Sequence, residues 1–264
     1  MTTPVEKLAQ GWLDCGVAAG DMLLVHSALK RTLQRYMDMD QAIAPTDVLD
    51  SFLLALGKDG TLLLPLFNFD FTKGVAFDIR NTPSYMGALS EAGRLHPKTI
   101  RTGHPIYSFA AIGAKAELFE GLVNFSGYGS DSPFGILHRE KGKIGILDLP
   151  DQNSMTFYHY VEEAAEVDYR YHKTFKAPYI DATGKQEERE FGLFVRDIEK
   201  GVLTDVDPMG ERLWEQGLYQ GQRPGESEGL RVIEAKALYD FVIDVIGSEN
   251  AKGMLYRTEP TNRG

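Results

Sequence analysis

Gly60-Thr61-Leu62-Leu63-Leu64-Pro65-Leu66-Phe67 is the stretch that decides the fold class. From Leu62 the run is continuously apolar, so neither face of the segment is written for water. Such a run reads as a strand buried on both faces, the pattern of a sheet covered by helices on each side. Towards the N-terminus, Asp21 to His26 holds a second strand-like run, Met22-Leu23-Leu24-Val25. Pro45 to Leu56 reads as a helix with Thr46 or Asp47 placed to cap it. Val5 to about Ala18 has helical spacing of Leu8, Trp12 and Leu13. Towards the C-terminus, Phe109 to Ile112 and Ile144 to Leu149 are further strands, and Met155 to Ala165 and Leu230 to Ile246 read as helices. Strands alternating with helices predict an α/β architecture, a mixed layered sheet with flanking helices. Tyr169 to Val206 differs: short strand-like pieces surround a turn at Asp181-Ala182-Thr183-Gly184-Lys185. The expectation is one domain over 1–264 with a β-rich elaboration at about 169–206.

Composition narrows the function classes. The 264 residues are 43% hydrophobic and 25% charged, ordinary for a globular chain. No apolar run is long enough to span a bilayer, and Met1 to Glu6 carries neither a basic region nor an apolar block, so a cytoplasmic location is expected. The single cysteine, Cys15, excludes an internal disulfide and a thiolate zinc site. A net charge of -10 disfavours general nucleic-acid binding and suits a cationic partner, although solubility alone would explain it.

Four stretches carry candidate chemistry. In Val25-His26-Ser27-Ala28-Leu29-Lys30-Arg31 a strand runs into a polar, basic loop, where backbone N–H groups and two cations can hold phosphates. The same residues also read as a helix cap with solvated basic side chains. In Arg101-Thr102-Gly103-His104-Pro105-Ile106-Tyr107-Ser108-Phe109, Pro105 pushes His104 towards an extended conformation. That histidine either faces a cleft or hydrogen-bonds backbone. Ser126-Gly127-Tyr128-Gly129-Ser130-Asp131-Ser132-Pro133 lets backbone approach a ligand, or is a surface turn. The fourth is Thr156-Phe157-Tyr158-His159-Tyr160-Val161-Glu162-Glu163. On a helix, His159 and Glu162 share a face, and a carboxylate beside an imidazole raises its basicity. A half-buried helix with an ordinary His–Glu pair would look the same.

Two other patterns are set aside. Gly225-Glu226-Ser227-Glu228-Gly229 fits G-x-S-x-G, but that motif needs a buried strand before it, and Gln220 to Pro224 is polar. His159, Glu162 and Glu166 suggest half of a carboxylate metal site, but neither His138 nor His172 has a Glu three residues earlier, so no metal is expected.

Taken in order, further motifs join these. They are Gly60-Thr61-Leu62 to Pro65; Phe77-Asp78-Ile79-Arg80-Asn81-Thr82-Pro83-Ser84-Tyr85-Met86-Gly87; and Ser130-Asp131-Ser132-Pro133. With His26-Ser27-Ala28-Leu29, Arg101 to Ser108 and Thr156 to Glu162, the chain resembles the aminoglycoside 3-N-acetyltransferase family, also called antibiotic N-acetyltransferases. The resemblance covers about Leu8 to Ile246. It implies an α/β fold distinct from GCN5-type acetyltransferases, acetyl-CoA as donor and an amine of an amino sugar as acceptor. It carries over His159 as catalytic base and Glu162 as its partner. For cofactor binding it points to His26, Ser27, Ala28, Leu29, Lys30, Arg31, His104, Ser108, Phe109 and Thr156. Asp70, Asp78 and Tyr128 are candidates for the substrate, and Ser108 and Thr156 for stabilising the thioester oxygen. The acceptor is either an aminoglycoside or an amino sugar of a polysaccharide or nucleotide-linked pathway, and a homodimer is compatible. The rivals are a non-catalytic CoA- or sugar-binding protein on the same scaffold, and a hydrolase.

Overall fold

The computed structural model describes residues 2–226 and 229–259. Strand β1 (Met22–Ser27) lies between β2 (Thr61–Pro65) and β6 (Lys143–Leu147), both parallel to it. The sheet is extended antiparallel on both sides. On one side come β5 (Phe109–Gly113) and β4 (Ile100–Arg101); on the other, β11 (Leu230–Glu234) and β10 (Gln220–Gly221). The order is β10-β11-β6-β1-β2-β5-β4, so both rims are two-residue strands.

The apolar run is buried for the expected reason. Leu62 and Leu64 of β2 join Leu23 and Val25 of β1 in one core. There they meet α1 (Pro4–Asp14) and α3 (Pro45–Leu56), through Leu8, Trp12, Val48 and Phe52. Leu63, Met22 and Leu24 face the opposite core, against α5 (Pro133–Arg139), α6 (Phe157–Ala164) and α8 (Ala235–Gly247). The alternation of strand side chains therefore fills two layers from one segment. The helix α3 is closed at its start by Asp47, which accepts from Ala44 N at 2.7 Å. The remaining helices α2 (Lys30–Asp38), α4 (Ala88–Leu95) and α7 (Asp207–Glu215) complete the shell.

The predicted β-rich stretch holds a long hairpin, β7 (Arg170–Ile180) and β8 (Gln186–Arg196). Its turn is the predicted one: Asp181 Oδ1 accepts from Thr183 N at 2.9 Å, and Gly184 supplies the positive φ of 89°. The short β3 (Phe77–Asp78) pairs with β7, and β9 (Val202–Thr204) pairs with β12 (Tyr256–Thr258).

One element corrects the sequence reading. Leu230 to Ile246 is not a single helix: its first five residues form β11, antiparallel to β6, and the helix begins at Ala235. Leu-Arg-Val-Ile-Glu is rich in branched residues, which favour a half-covered strand. The G-x-S-x-G decoy lies just before β11; its Ser227 and Glu228 fall outside the described residues.

The change from helix to strand places Arg231, fully buried, beneath the loop that follows β6. Its Nε and Nη2 donate to Asp151 Oδ1 at 3.2 and 2.5 Å. The hydroxyls of Tyr158 and Tyr219 donate to Asp151 Oδ2 at 2.9 and 2.8 Å. All of these groups are sealed from water, and a buried charge stripped of its partner is heavily destabilising. Arg231→Met should therefore lower the unfolding free energy by about 3–5 kcal/mol, read from denaturant midpoints at constant slope. A loss under 1 kcal/mol would show that Asp151 does not depend on this partner.

Candidate active site

The parallel strands β1, β2 and β6 end at the same side of the sheet, where ligands of open α/β sheets characteristically bind. The chain leaving β2 supplies Phe67 and Phe69, and the chain leaving β6 supplies Asp151 to Thr156. Together with Met86, Tyr107, His159, Thr204 and Val206 they enclose a cavity of about 270 Å³. One wall is apolar and aromatic; the other presents amide and hydroxyl groups.

His159 enters this cavity from α6. The helix buries Phe157, Tyr158, Tyr160, Val161 and Glu162, which leaves the His159 ring at the boundary, 18% exposed. Nδ1 of His159 is 2.8 Å from Glu162 Oε2, and the carboxylate is 1% exposed. Tyr169 donates to Glu162 Oε1 at 3.0 Å. Arg170 lies against the same pair: its Nε is 2.7 Å from Glu162 Oε2 and its Nη2 2.8 Å from His159 Nδ1. Its Nη1 donates to Phe194 O at 2.9 Å. The edge-to-face ring of Tyr128, 5.3 Å away, backs the imidazole.

The electrostatics follow from these contacts. Burial pushes the Glu162 carboxyl up, but Arg170, His159 and Tyr169 outweigh it and hold it below its ordinary value. Burial pushes the His159 imidazolium down, Arg170 pushes further, and Glu162 offsets only part. The result is an ionised carboxylate beside a neutral imidazole. Nδ1 stands between Glu162, which can only accept from it, and Arg170, which can only donate to it; in the tautomer whose Nδ1–H donates to Glu162, Nε2 keeps its lone pair and can take a proton.

A His–carboxylate pair at such a cavity suits proton transfer in several reaction classes, and the comparisons decide among families. Residues 24–246 match the profile of the aminoglycoside 3-N-acetyltransferase family, Antibiotic_NAT. The chain belongs to that family. Its members are acetyl-CoA-dependent N-acetyltransferases. Aminoglycoside N(3)-acetyltransferase IX of Micromonospora chalcea is 29% identical over 272 positions, covering 91% of this chain and 92% of the relative. Aminoglycoside N(3)-acetyltransferase VII of Streptomyces paromomycinus is 28% identical, covering 79% and 67%. Among solved structures, the acetyltransferase AAC-IIIb with CoASH superposes with a TM-score of 0.77 at 23% identity, covering 93% of this chain and 96% of that one. AAC-VIa bound to sisomicin gives 0.75 at 23%, covering 96% and 100%. These last two share the fold.

Within this member of the family, the predicted site residues separate. Thr156 and His159 line the cavity, and Glu162 stands directly behind His159. Ser27 and Ala28 are partly exposed and Lys30 and Arg31 exposed at the start of α2, on the strand-end side of the sheet, while Leu29 is buried. Asp70 borders a neighbouring pocket of about 140 Å³, and accepts from Tyr85 at 2.6 Å.

Other predicted residues do not line this cavity. Ser108 is fully buried: its Oγ accepts from Arg101 Nη2 at 3.2 Å and donates to Leu66 O. Phe109 is a core residue of β5. Buried Tyr128 packs on the His159 ring instead of facing the cavity. Asp78 is bound by Arg80 and Asn81, which hold its carboxyl down at about 2. His104 is fully buried, with Nδ1 accepting from Ile106 and Tyr107 backbone N–H groups. His26 is 3% exposed, its ring against Phe67.

Arg170 and Tyr169 escaped the sequence reading because nothing local marks them. They lie beyond the end of α6, in a segment read only as β-rich.

Burial lowers the values of His26 and His104 to about 4, from an ordinary 6.5. The unfolded chain therefore binds protons at these residues between pH 6.5 and 4 while the native one does not. Stability is fully present above that window and falls as pH drops through it, by up to about 1.4 kcal/mol per pH unit for each histidine. His26→Gln should flatten the loss accordingly in denaturation at successive pH values; an unchanged slope would show that His26 is protonated in the native protein.

Proposed function

We propose that this protein transfers an acetyl group from acetyl-CoA to an amine of an amino sugar, with His159 as the general base. The observation that carries the reading is an imidazole 2.8 Å from a buried carboxylate, on the wall of a cavity at the carboxyl ends of parallel strands.

Acetyl-CoA brings an acyl group activated as a thioester. His159 Nε2 takes a proton from the acceptor nitrogen as that nitrogen bonds to the carbonyl carbon. As the carbon–sulfur bond breaks, the same imidazole returns the proton to sulfur, so atoms and charges balance. Glu162 stabilises the transient imidazolium, and general-base help of this type is worth roughly 10²–10⁴-fold. Thr156, on the same wall, supplies a hydroxyl for the developing charge on the carbonyl oxygen. The Phe67, Phe69, Met86 and Tyr107 side of the cavity excludes water from the thioester. Lys30 and Arg31 give cationic charge for the phosphates at the start of α2.

The acceptor side is acidic. Asp70 stands beside the cavity, and Asp205 and Asp207 line a further cavity of about 460 Å³, separated from His159 by Thr204 and Val206. Carboxylates on this side suit an acceptor with several ammonium groups. The names of the relatives point to aminoglycosides; the amino sugars of biosynthetic pathways share the chemistry.

The decisive experiment is release of free CoA thiol from acetyl-CoA with a panel of acceptors, aminoglycosides beside nucleotide-linked amino sugars. Turnover should require both substrates, and His159→Ala should reduce it about 10²–10⁴-fold. Near-normal acetylation by that variant would remove His159 from the role. Turnover without acetyl-CoA would indicate a hydrolase, and binding without thiol release a non-catalytic protein.

A further inference from the structure

We propose that Arg170 is a positioning residue for this site: its guanidinium, held at one end by the Phe194 carbonyl, pins the Glu162 carboxylate against His159 Nδ1 and so aims the imidazole into the cavity. The proposal rests on the reading of His159 as the base, and goes further by adding a third member supplied from a different element.

The geometry is that of a clamp. Arg170 is the first residue of β7, and its side chain is 5% exposed. Nη1 donates to Phe194 O at 2.9 Å; Nε stands 2.7 Å from Glu162 Oε2 as an ion pair, and Nη2 lies 2.8 Å from His159 Nδ1, which sets the guanidinium charge against both members of the pair. Phe194 belongs to β8, so the hairpin as a body holds the guanidinium, and the guanidinium holds the α6 pair. The planar fork of a guanidinium fits a carboxylate edge as a point charge does not. Arg170 does not border the cavity. It therefore acts through Glu162 and His159 and not by touching either substrate.

Its charge has a second effect. The groups facing His159 are Glu162 on its own helix, Tyr128 from the preceding loop, Arg170 on β7 and Arg196 on β8; Asp151 shares the cavity wall but is neutralised by Arg231. Two cations thus oppose one carboxylate around the ring. Without Arg170, Glu162 remains the dominant neighbour and the His159–Glu162 pair takes up a proton at higher pH. A protonated pair cannot serve as base.

The test reads His159 directly. In the full-length protein with isotope-labelled histidine, the His159 ring resonances are followed against pH, beside steady-state kinetics. In Arg170→Met the titration midpoint and the acid limb of kcat should both move to higher pH. KM for both substrates should stay within about twofold, because the side chain lies outside the cavity. Arg170→Lys keeps the charge but loses the fork. It should titrate near the wild-type midpoint yet lose about tenfold or more in kcat through misplacement of the ring, and it serves if the Met variant does not fold. An unmoved His159 midpoint in folded Arg170→Met, or full kcat in Arg170→Lys, would overturn the proposal. Failure of the base reading is separately visible: His159→Gln would then retain turnover, whatever Arg170 does to the titration.

Discussion

A carboxylate withdrawn from water must have its charge answered, and the architecture around α6 is built on doing this twice. Glu162 is answered by Arg170, Asp151 by Arg231. The two pairs sit on either side of the cavity wall, one behind His159 and one beneath the loop that leads into α6. Each draws its cation from a strand outside the acid's own element: β7, just past the end of α6, for Glu162, and β11, remote in sequence, for Asp151. The tyrosines at 158, 169 and 219 complete the lone pairs of the two acids. Half-satisfied, either group would cost more than an apolar core of the same shape. Paired as they are, the two acids tie the helix to strands of both sheets. The cavity inherits its shape from that placement.

The aromatic surroundings serve the same constraint. Tyr128 closes over one edge of the imidazole, and Phe67 and Tyr107, 4.4 Å apart, form the facing wall. A low-dielectric wall strengthens every charge contact it encloses. It is also why the His159 ring loses affinity for a proton, whereas Glu162 stays ionised against the same burial because Arg170, His159 and Tyr169 answer its charge. The opposing shifts of two neighbouring groups are what mark an acid–base site within an otherwise structural set of contacts.

The layered sheet was legible from the apolar run after Gly60 because burial on both faces leaves a period-free run, and its shortness and the flanking Gly60 and Pro65 favour a covered strand over a buried helix. The His159–Glu162 pair was legible because helical spacing puts residues three apart on one face. What stayed hidden depends on distance along the chain. Leu230 to Glu234 has the apolar content of a helix start, and only its pairing with β6 makes it a strand. With that strand went Arg231, and so the anchor for Asp151. Ser108, Asp78 and His104 carry functional-looking side chains, but Arg101, Arg80 and the 106–107 backbone claim them. No motif reveals which hydroxyl or carboxylate an arginine will occupy, even one a few residues away, whereas Thr156 and His159 both line the cavity.

The rims of the sheets carry one more consequence. The seven-stranded sheet ends on both sides in strands of two residues, β4 and β10. Each offers too few unpaired amides to template another chain. The three-stranded sheet ends instead in β8, whose outer half carries Glu187, Glu188, Arg189 and Glu190, and whose inner half is occupied at Gly192 by Ser126 and Gly127. Short rims and a charged one are the two standard defences against strand-by-strand association. A fold with a mixed sheet at its centre thereby leaves little bare edge for another copy to extend.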